Sequence, residues 1–336
     1  MEREDPGVLR RLLGQVGGAG LLDTLADGLS GADLTSLLLE AMRRRADRLS
    51  APDVLRQYRT DRFVSPATTD PRDLRRVEDA MFAALPDGFE VLTLAPVLPL
   101  GAHSAVAAVD PRNVIATIRR TEVAADPTNG LALEAAARRR RALDLEPRSA
   151  EPVRLAASQR VTRAQQFEGP ISFAHFQLLG AVTAGRDAGS HKFERRHLIE
   201  HLRFAVGGLR AAGPGVAEIR IAITRLDEAA AGILAAVEAE FAGVDEVRVA
   251  DAPERESGRA YYRCLCFKMH VRFGEPGRGL SEPVEIADGG FTDWTAKLLG
   301  NRKERLLISG HGLDRLATMT RPRQPPQLHD HAHRTP

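Results

Sequence analysis

The sequence predicts an α+β protein: a mixed, mainly antiparallel sheet flanked by helices, preceded by an N-terminal helical extension. Three observations predict it. Strand-like runs do not alternate regularly with helical ones, as a doubly wound sheet would require. Two strand-like segments, 152–165 and 173–185, are joined by a short loop containing glycine and proline, the pattern of an antiparallel hairpin. Between the strands lie amphipathic helices, the clearest being 191–213, which ends at glycine.

Taken in order, residues 1–60 read as helices. VLRRLLGQV, GLLDTLADGL and ADLTSLLLEAMRRRADRLS each space apolar residues at helical intervals, with Ser30 and Asp33 as capping residues for the third. Residues 61–320 form the expected core, and 321–336 a proline- and histidine-rich tail that reads as disordered. His329, His331 and His333 in that tail receive no functional role. Within the core, 70–85 is a helix. FEVLTLAPVLPLG (89–101) is a strand stopped by prolines, and SAVAAV and NVIATI are further short strands. DPTNGLALEAAARRRRAL (126–143) opens with a capping Asp126 and with Pro127, then becomes a helix whose four arginines form a solvated face. After the hairpin and the 191–213 helix come the strand EIRIAITRL and the helix DEAAAGILAAVEAEFAG. The strands RAYYRCLCFKMHVRFG and EPVEIADGG follow, then the short helix FTDWTAKLLG. The strand ERLLISGHG feeds the last helix, LDRLATM.

A chain of 336 residues with 43% hydrophobic and 27% charged content is long enough for a sizeable core. Its net charge of +2 gives no reason to expect nucleic-acid binding. Cys264 and Cys266, two apart on a strand, are expected on the same face. A disulfide between them would be strained and two ligands do not close a zinc site, so they read as apolar fillers. No run reaches membrane-spanning length and the N-terminus has no signal-peptide core, so a cytoplasmic protein without a membrane partner is expected.

Two motifs attract chemistry that their context does not support. HLIEH (197–201) fits the inverted zinc-protease pattern, with His197 and His201 on one helix face and Glu200 as base. Its charged neighbours read instead as an amphipathic helix surface. Gly310-His311-Gly312 looks like a nucleotide-binding turn, but a dinucleotide fingerprint requires glycine where Arg315 stands.

Three stretches together resemble the signature motifs of class II aminoacyl-tRNA synthetases, above all the histidyl-tRNA synthetase core. GFEVLTLAP (88–96) is similar to motif 1, a strand ending in proline at the dimer interface. VTRAQQFEGPISFAHFQLLG (161–180) is similar to motif 2. There Arg163 falls on the arginine that holds the ATP α-phosphate and Phe176 on the ring that stacks on adenine. Gln165 replaces the family's glutamate and keeps an acceptor for the adenine amino group. ADGGFTDWTAKLLGNRKERLLISGHGLDRLA (287–317) resembles the G-G-R-Y-D-G-L segment followed by motif 3. Gly289, Gly290 and Asp293 match the first part, and Arg315 falls on the arginine that holds the γ-phosphate, with Gly312 in the preceding glycine pair. ADPTNGLALEAA (125–136) is similar to the family's R-P-E-x-T loop, so Asp126 and Thr128 are expected at the amino acid. SGRAYYR (257–263) aligns with R-G-L-D-Y-Y-T. It keeps Tyr261 and Tyr262 but has Ser257 and Ala260 at the arginine and aspartate positions, with Arg259 as a shifted replacement.

The resemblance implies a class II synthetase-like fold, a homodimer, and activation of an amino acid or related carboxylate by ATP. The acceptor would be a tRNA, a carrier protein or a small amine. Two anions must meet, so the site must neutralise charge, and arginine's planar fork suits phosphate. Magnesium is the implied metal, with Glu285 as its candidate ligand. The family's anticodon-binding domain after motif 3 has no counterpart in the residues that follow Thr320. The altered SGRAYYR and Gln165 also fit an alternative: a non-catalytic synthetase-like regulatory subunit of another enzyme, as in histidine biosynthesis.

Overall fold

The structure, a computed structural model, describes residues 6–16, 18–165, 174–213, 215–256, 258–275 and 279–321. The loop 166–173, Ser257 and the expected tail from 322 onward lie outside the described residues.

The chain opens with helices α1 (Pro6–Gln15), α2 (Ala19–Asp23), α3 (Gly31–Ala46) and α4 (Ala51–Thr60). Ser30 caps α3 by accepting from the Asp33 amide, and Ser50 with Asp53 forms a reciprocal capping box on α4. None of the described residues in these helices is buried. The apolar core begins in α5 (Pro71–Ala83), where Val77 and Met81 are fully enclosed.

The expected strand at 89–101 resolves into two short pieces, β1 (Glu90–Val91) and β2 (Val97–Pro99). SAVAAV is not a strand. Residues Ala102–Val106 form a π-helical turn that starts after Gly101 in the left-handed region. NVIATI contributes only an isolated bridge from Ala116 to Glu122, and the strand lies just beyond it, β3 (Thr121–Val123), paired with β2. Short Ala/Val runs carry no period that separates helix from strand, which is why these assignments fail.

From there the expected order holds. Helix α6 (Pro127–Leu145) is capped by Asp126, which accepts from the Thr128 amide at 2.9 Å. Strands β4 (Val153–Thr162) and β5 (His175–Arg186) form the antiparallel hairpin, followed by α7 (Lys192–Ala211). Next are β6 (Val216–Arg225), α8 (Ala231–Phe241), β7 (Val247–Asp251), β8 (Tyr262–Glu275) and the short β9 (Gly279–Leu280). The chain closes with β10 (Val284–Thr292), α9 (Trp294–Leu299), β11 (Glu304–Gly312) and α10 (Leu313–Met319). The main sheet runs β1-β4-β5-β11-β10-β8-β6-β7, with β9 on β8. It is antiparallel except for β1–β4 and β6–β7.

The period of two along each strand sorts side chains between two faces. Leu179, Ala181, Phe267, Met269 and Leu307 pack under α5, α7, α8 and α10. Leu155, Val182, Ala184, Cys266, Leu306 and Ile308 face the other way, toward α6 and α9. Cys264 and Cys266 do not share a face as expected. Cys264 has φ 63° in an irregularity of β8, which turns it into the first layer while Cys266 stays in the second.

The arginine run of α6 is not wholly solvated either. Arg139 is completely buried and pairs with Glu304 through Nε and Nη2 at 2.8 and 2.9 Å. It also donates to the carbonyls of Ser149 and Glu151.

Candidate active site

The Gly310-His311-Gly312 stretch is strand, not turn, and it runs directly into α10. Alternation places His311 inward and both glycines on the opposite face, where they line a cavity of about 390 Å³. A Cβ on Gly310 would meet only the Asp288 carbonyl, at 3.9 Å, so the glycines leave open space there rather than allow a backbone contact.

Ten of the expected site residues line this cavity: Asp126, Thr128, Arg163, Gln165, Phe176, Tyr261, Tyr262, Glu285, Gly312 and Arg315. They come from six separate regions of the chain. Arg163 follows β4, and its guanidinium donates to the Ala125 carbonyl at 3.0 Å and to Asp126 at 3.1 Å. It lies 5.1 Å from the centre of the Phe176 ring, a cation–π arrangement. Arg315, in the first turn of α10, donates to the Glu285 carbonyl at 2.9 Å, and among the described residues it has no carboxylate partner. Glu285 itself pairs with Lys268 at 2.7 Å.

Three expected residues are not brought into the cavity. Arg259 is exposed and bonds to backbone carbonyls of Pro253 and Arg255. Gly289 and Gly290 serve packing instead. A Cβ on Gly289 would strike the Ile308 carbonyl at 2.5 Å, and one on Gly290 the Tyr262 ring at 2.7 Å and Cys266 at 2.8 Å.

The structure adds groups that the sequence did not single out. Asp288 lines the cavity and is held by the Tyr262 hydroxyl and by Arg255, each at 2.7 Å. Burial raises its carboxyl pKa, opposed by Arg255 and Tyr262. Burial, reinforced by Asp288, pushes the Tyr262 hydroxyl far up and Tyr261 to about 12, so both phenols are neutral donors. His103 is buried at the cavity wall. Its Nε2 accepts from the Ala125 amide, which leaves the proton on Nδ1, 2.5 Å from Glu122. Burial opposes ionisation of Glu122, but hydrogen bonds from His103 and the Gly101 amide outweigh it and keep the carboxyl low. This relay fixes the loop that carries Ala125 and Asp126. Asp314 accepts from the Gln177 amide and lies 3.5 Å from Arg160, tying α10 to β5. Such pairs join distant segments, so no local spacing announces them.

HLIEH lies on the covered face of the sheet, not on a solvated surface. His201 bonds Thr183 and Ser309, while His197 and Arg154 hold Glu200. Burial lowers His201 to about 3 and His311 to about 4. Glu200 sits at about 2, where His197 and Arg154 overcome its desolvation. Among the described residues, no group of three potential ligands converges on a metal position.

This fold, a mainly antiparallel sheet flanked by helices with one open cavity face, is class II synthetase-like. The chain is similar to an ATP phosphoribosyltransferase regulatory subunit/histidyl-tRNA synthetase from Bacillus halodurans, at TM-score 0.56 and 15% identity over 77% of this chain and 82% of that one. It is also similar to a histidine–tRNA ligase subunit from Alicyclobacillus acidocaldarius, at 0.54 and 15% over 77% and 96%. The apo histidyl-tRNA synthetase of S. aureus aligns at 0.53 and 12% over 74% and 66%. At these identities the likeness is one of fold. No protein-family model and no curated protein sequence matches the chain. No helix among the described residues is long and apolar enough to cross a membrane.

Proposed function

We propose that this cavity binds ATP and a carboxylic acid and joins them as an acyl-adenylate. The observation that carries the reading is the convergence of Arg163, Phe176 and Arg315 on one cavity, with Arg315 lacking a carboxylate partner among the described residues. In the reaction a carboxylate oxygen attacks the α-phosphorus and the bond to pyrophosphate breaks. Phe176 offers a face for the base, Arg163 lies beside it for the charge growing on the α-phosphate, and Arg315 is left to hold the terminal phosphates. Preorganised guanidinium groups suit this task because their donors are fixed before charge develops.

Magnesium does not fit the carboxylates as arranged. Glu285 is engaged by Lys268, Asp288 by Arg255 and Tyr262, and Asp126 by Arg163. Dimerisation, and transfer of the acyl group to a tRNA, a carrier thiol or a small amine, belong to the same reading.

The Arg163–Asp126 pair favours a second reading, because a phosphate reaching Arg163 must compete with that carboxylate. In it the chain is a synthetase-like binding subunit that regulates another enzyme without turnover. Exchange of labelled pyrophosphate into ATP, screened over amino acids and other carboxylates, separates the two. Acid-dependent exchange supports activation. ATP binding without exchange, together with a tight partner enzyme, supports the regulatory role.

A further inference from the structure

A second hollow, of about 200 Å³, lies behind one wall of the main cavity. Strand register builds it. Arg220 of β6 stands opposite His270 of β8, and two residues along, Ala222 stands opposite Lys268. Residues two apart on a strand, and their cross-strand partners, share a face. Arg220, Lys268 and His270 therefore surround the small side chain of Ala222, which leaves room between them. Ala252, Glu254 and Arg255, from the segment after β7, complete the lining. Thr224 ties that segment down by donating to the Ala252 carbonyl at 2.7 Å.

The lining holds three cations, Arg220, Lys268 and Arg255, and one carboxylate, Glu254. Two of the cations are shared with the main cavity. Lys268 pairs with Glu285 and Arg255 with Asp288, each at 2.7 Å, and both carboxylates line that cavity. These two ion pairs form the partition between the hollows. Arg220 is exposed and has no carboxylate partner among the described residues. Arg248 of β7 stands beside it in register. Like charges on adjacent strands cost stability, and an anion beside them offsets that cost. The Nδ1 atom of His270 is enclosed and has no hydrogen-bond partner among the described residues.

We propose that this hollow binds a small oxyanion, a phosphate or a carboxylate, and that its occupant is an effector of the main cavity. Guanidinium and ammonium donors select oxygen anions. A volume of about 200 Å³ is below the roughly 300–1,000 Å³ of cofactor pockets, so the hollow takes one such group and not a nucleotide. An anion there competes for Lys268 and Arg255 and leaves Glu285 and Asp288 less compensated on the cavity side. A phosphate chain in the main cavity then meets more negative charge, so the two ligands oppose each other. The opposition is reciprocal, because each ligand must weaken the other by the same factor. The coupling, unlike the binding, rests on the reading that the main cavity takes ATP.

Calorimetric titration of inorganic phosphate and of malonate into the full chain, in chloride buffer without ATP, tests the site and separates the two oxyanions. Saturable binding of one or both by the wild type is expected. Arg220→Ala should weaken it about tenfold, the size of a lost hydrogen bond to a charged group. Arg315→Ala, outside the hollow, should keep it within about twofold. No saturable binding of either anion, or binding that Arg315→Ala removes and Arg220→Ala spares, overturns the site. ATP titrated in the presence of saturating anion should bind about fivefold more weakly. In Arg220→Ala the same fall should require about tenfold more anion. An ATP affinity indifferent to the anion overturns the coupling. A wild type that binds phosphate through Arg220 but binds no ATP defeats the nucleotide reading and leaves the oxyanion site standing.

Discussion

Along β11, Ser309 and His311 point into the helix-covered face, while Gly310 and Gly312 point into the cavity. On the covered face, His201 and His311 are neutral, buried and bonded to hydroxyls. On the cavity face, arginines and carboxylates keep accessible surface and Arg315 lacks a carboxylate partner among the described residues. Residues of the same chemical kinds thus become structure or site according to strand parity. The metal-like HLIEH pattern fell on the covered side, and the weaker glycine–arginine pattern on the side that stays open.

The largest expected effect comes from the dry end of the cavity-side layer. Arg139→Ala should destabilise the fold by about 3–5 kcal/mol, because it strands the buried Glu304 carboxylate. Chemical denaturation measures this, and a loss under 1 kcal/mol would mean that this end is wetter than described.

Acidification probes the covered face. The unfolded histidines bind protons near pH 6.5, whereas folded His201 and His311 resist until about 3 and about 4. The unfolded state therefore binds more protons as pH falls below 6.5, and stability falls with it. Each histidine contributes a slope of about 1.4 kcal/mol per pH unit in that window. His270, also lowered by burial, acts in the same direction. Glu200, already lowered to about 2, loses its contribution only in stronger acid. Urea melts between pH 7 and 5 give the slope, and a flat profile would break the contrast between the faces.

The smallest expected effect on stability is Gly310→Val. Its Cβ meets open cavity, so stability should change by less than about 1 kcal/mol while nucleotide or acid affinity falls at least tenfold. Strong destabilisation with intact binding would mean that Gly310 serves packing, as Gly289 does.

Much of this was legible in the sequence where local signals are strong. The β4–β5 hairpin, the caps at Ser30 and Asp126, and the long amphipathic α7 follow from spacing and short-range hydrogen bonds. Part of the cavity lining was legible where motif order pointed to it, at Arg163, Phe176 and Arg315. Asp288 was hidden within EPVEIADGG, because its place at the cavity is set by Arg255 and Tyr262 arriving from elsewhere in the chain. The π-helical turn at Ala102–Val106 was hidden for another reason: its apolar residues lack any period.

A nucleotide site in this cavity would rest on Arg315, its one lining arginine without a carboxylate partner among the described residues. Titration of ATP into the wild-type chain and into Arg315→Ala, with circular dichroism confirming that both are folded, measures its weight. Saturable binding to the wild type and a loss of up to about 100-fold in the variant are expected, the size of a lost hydrogen-bonded charged contact. Equal affinities, or no ATP binding by the folded wild type, would contradict it.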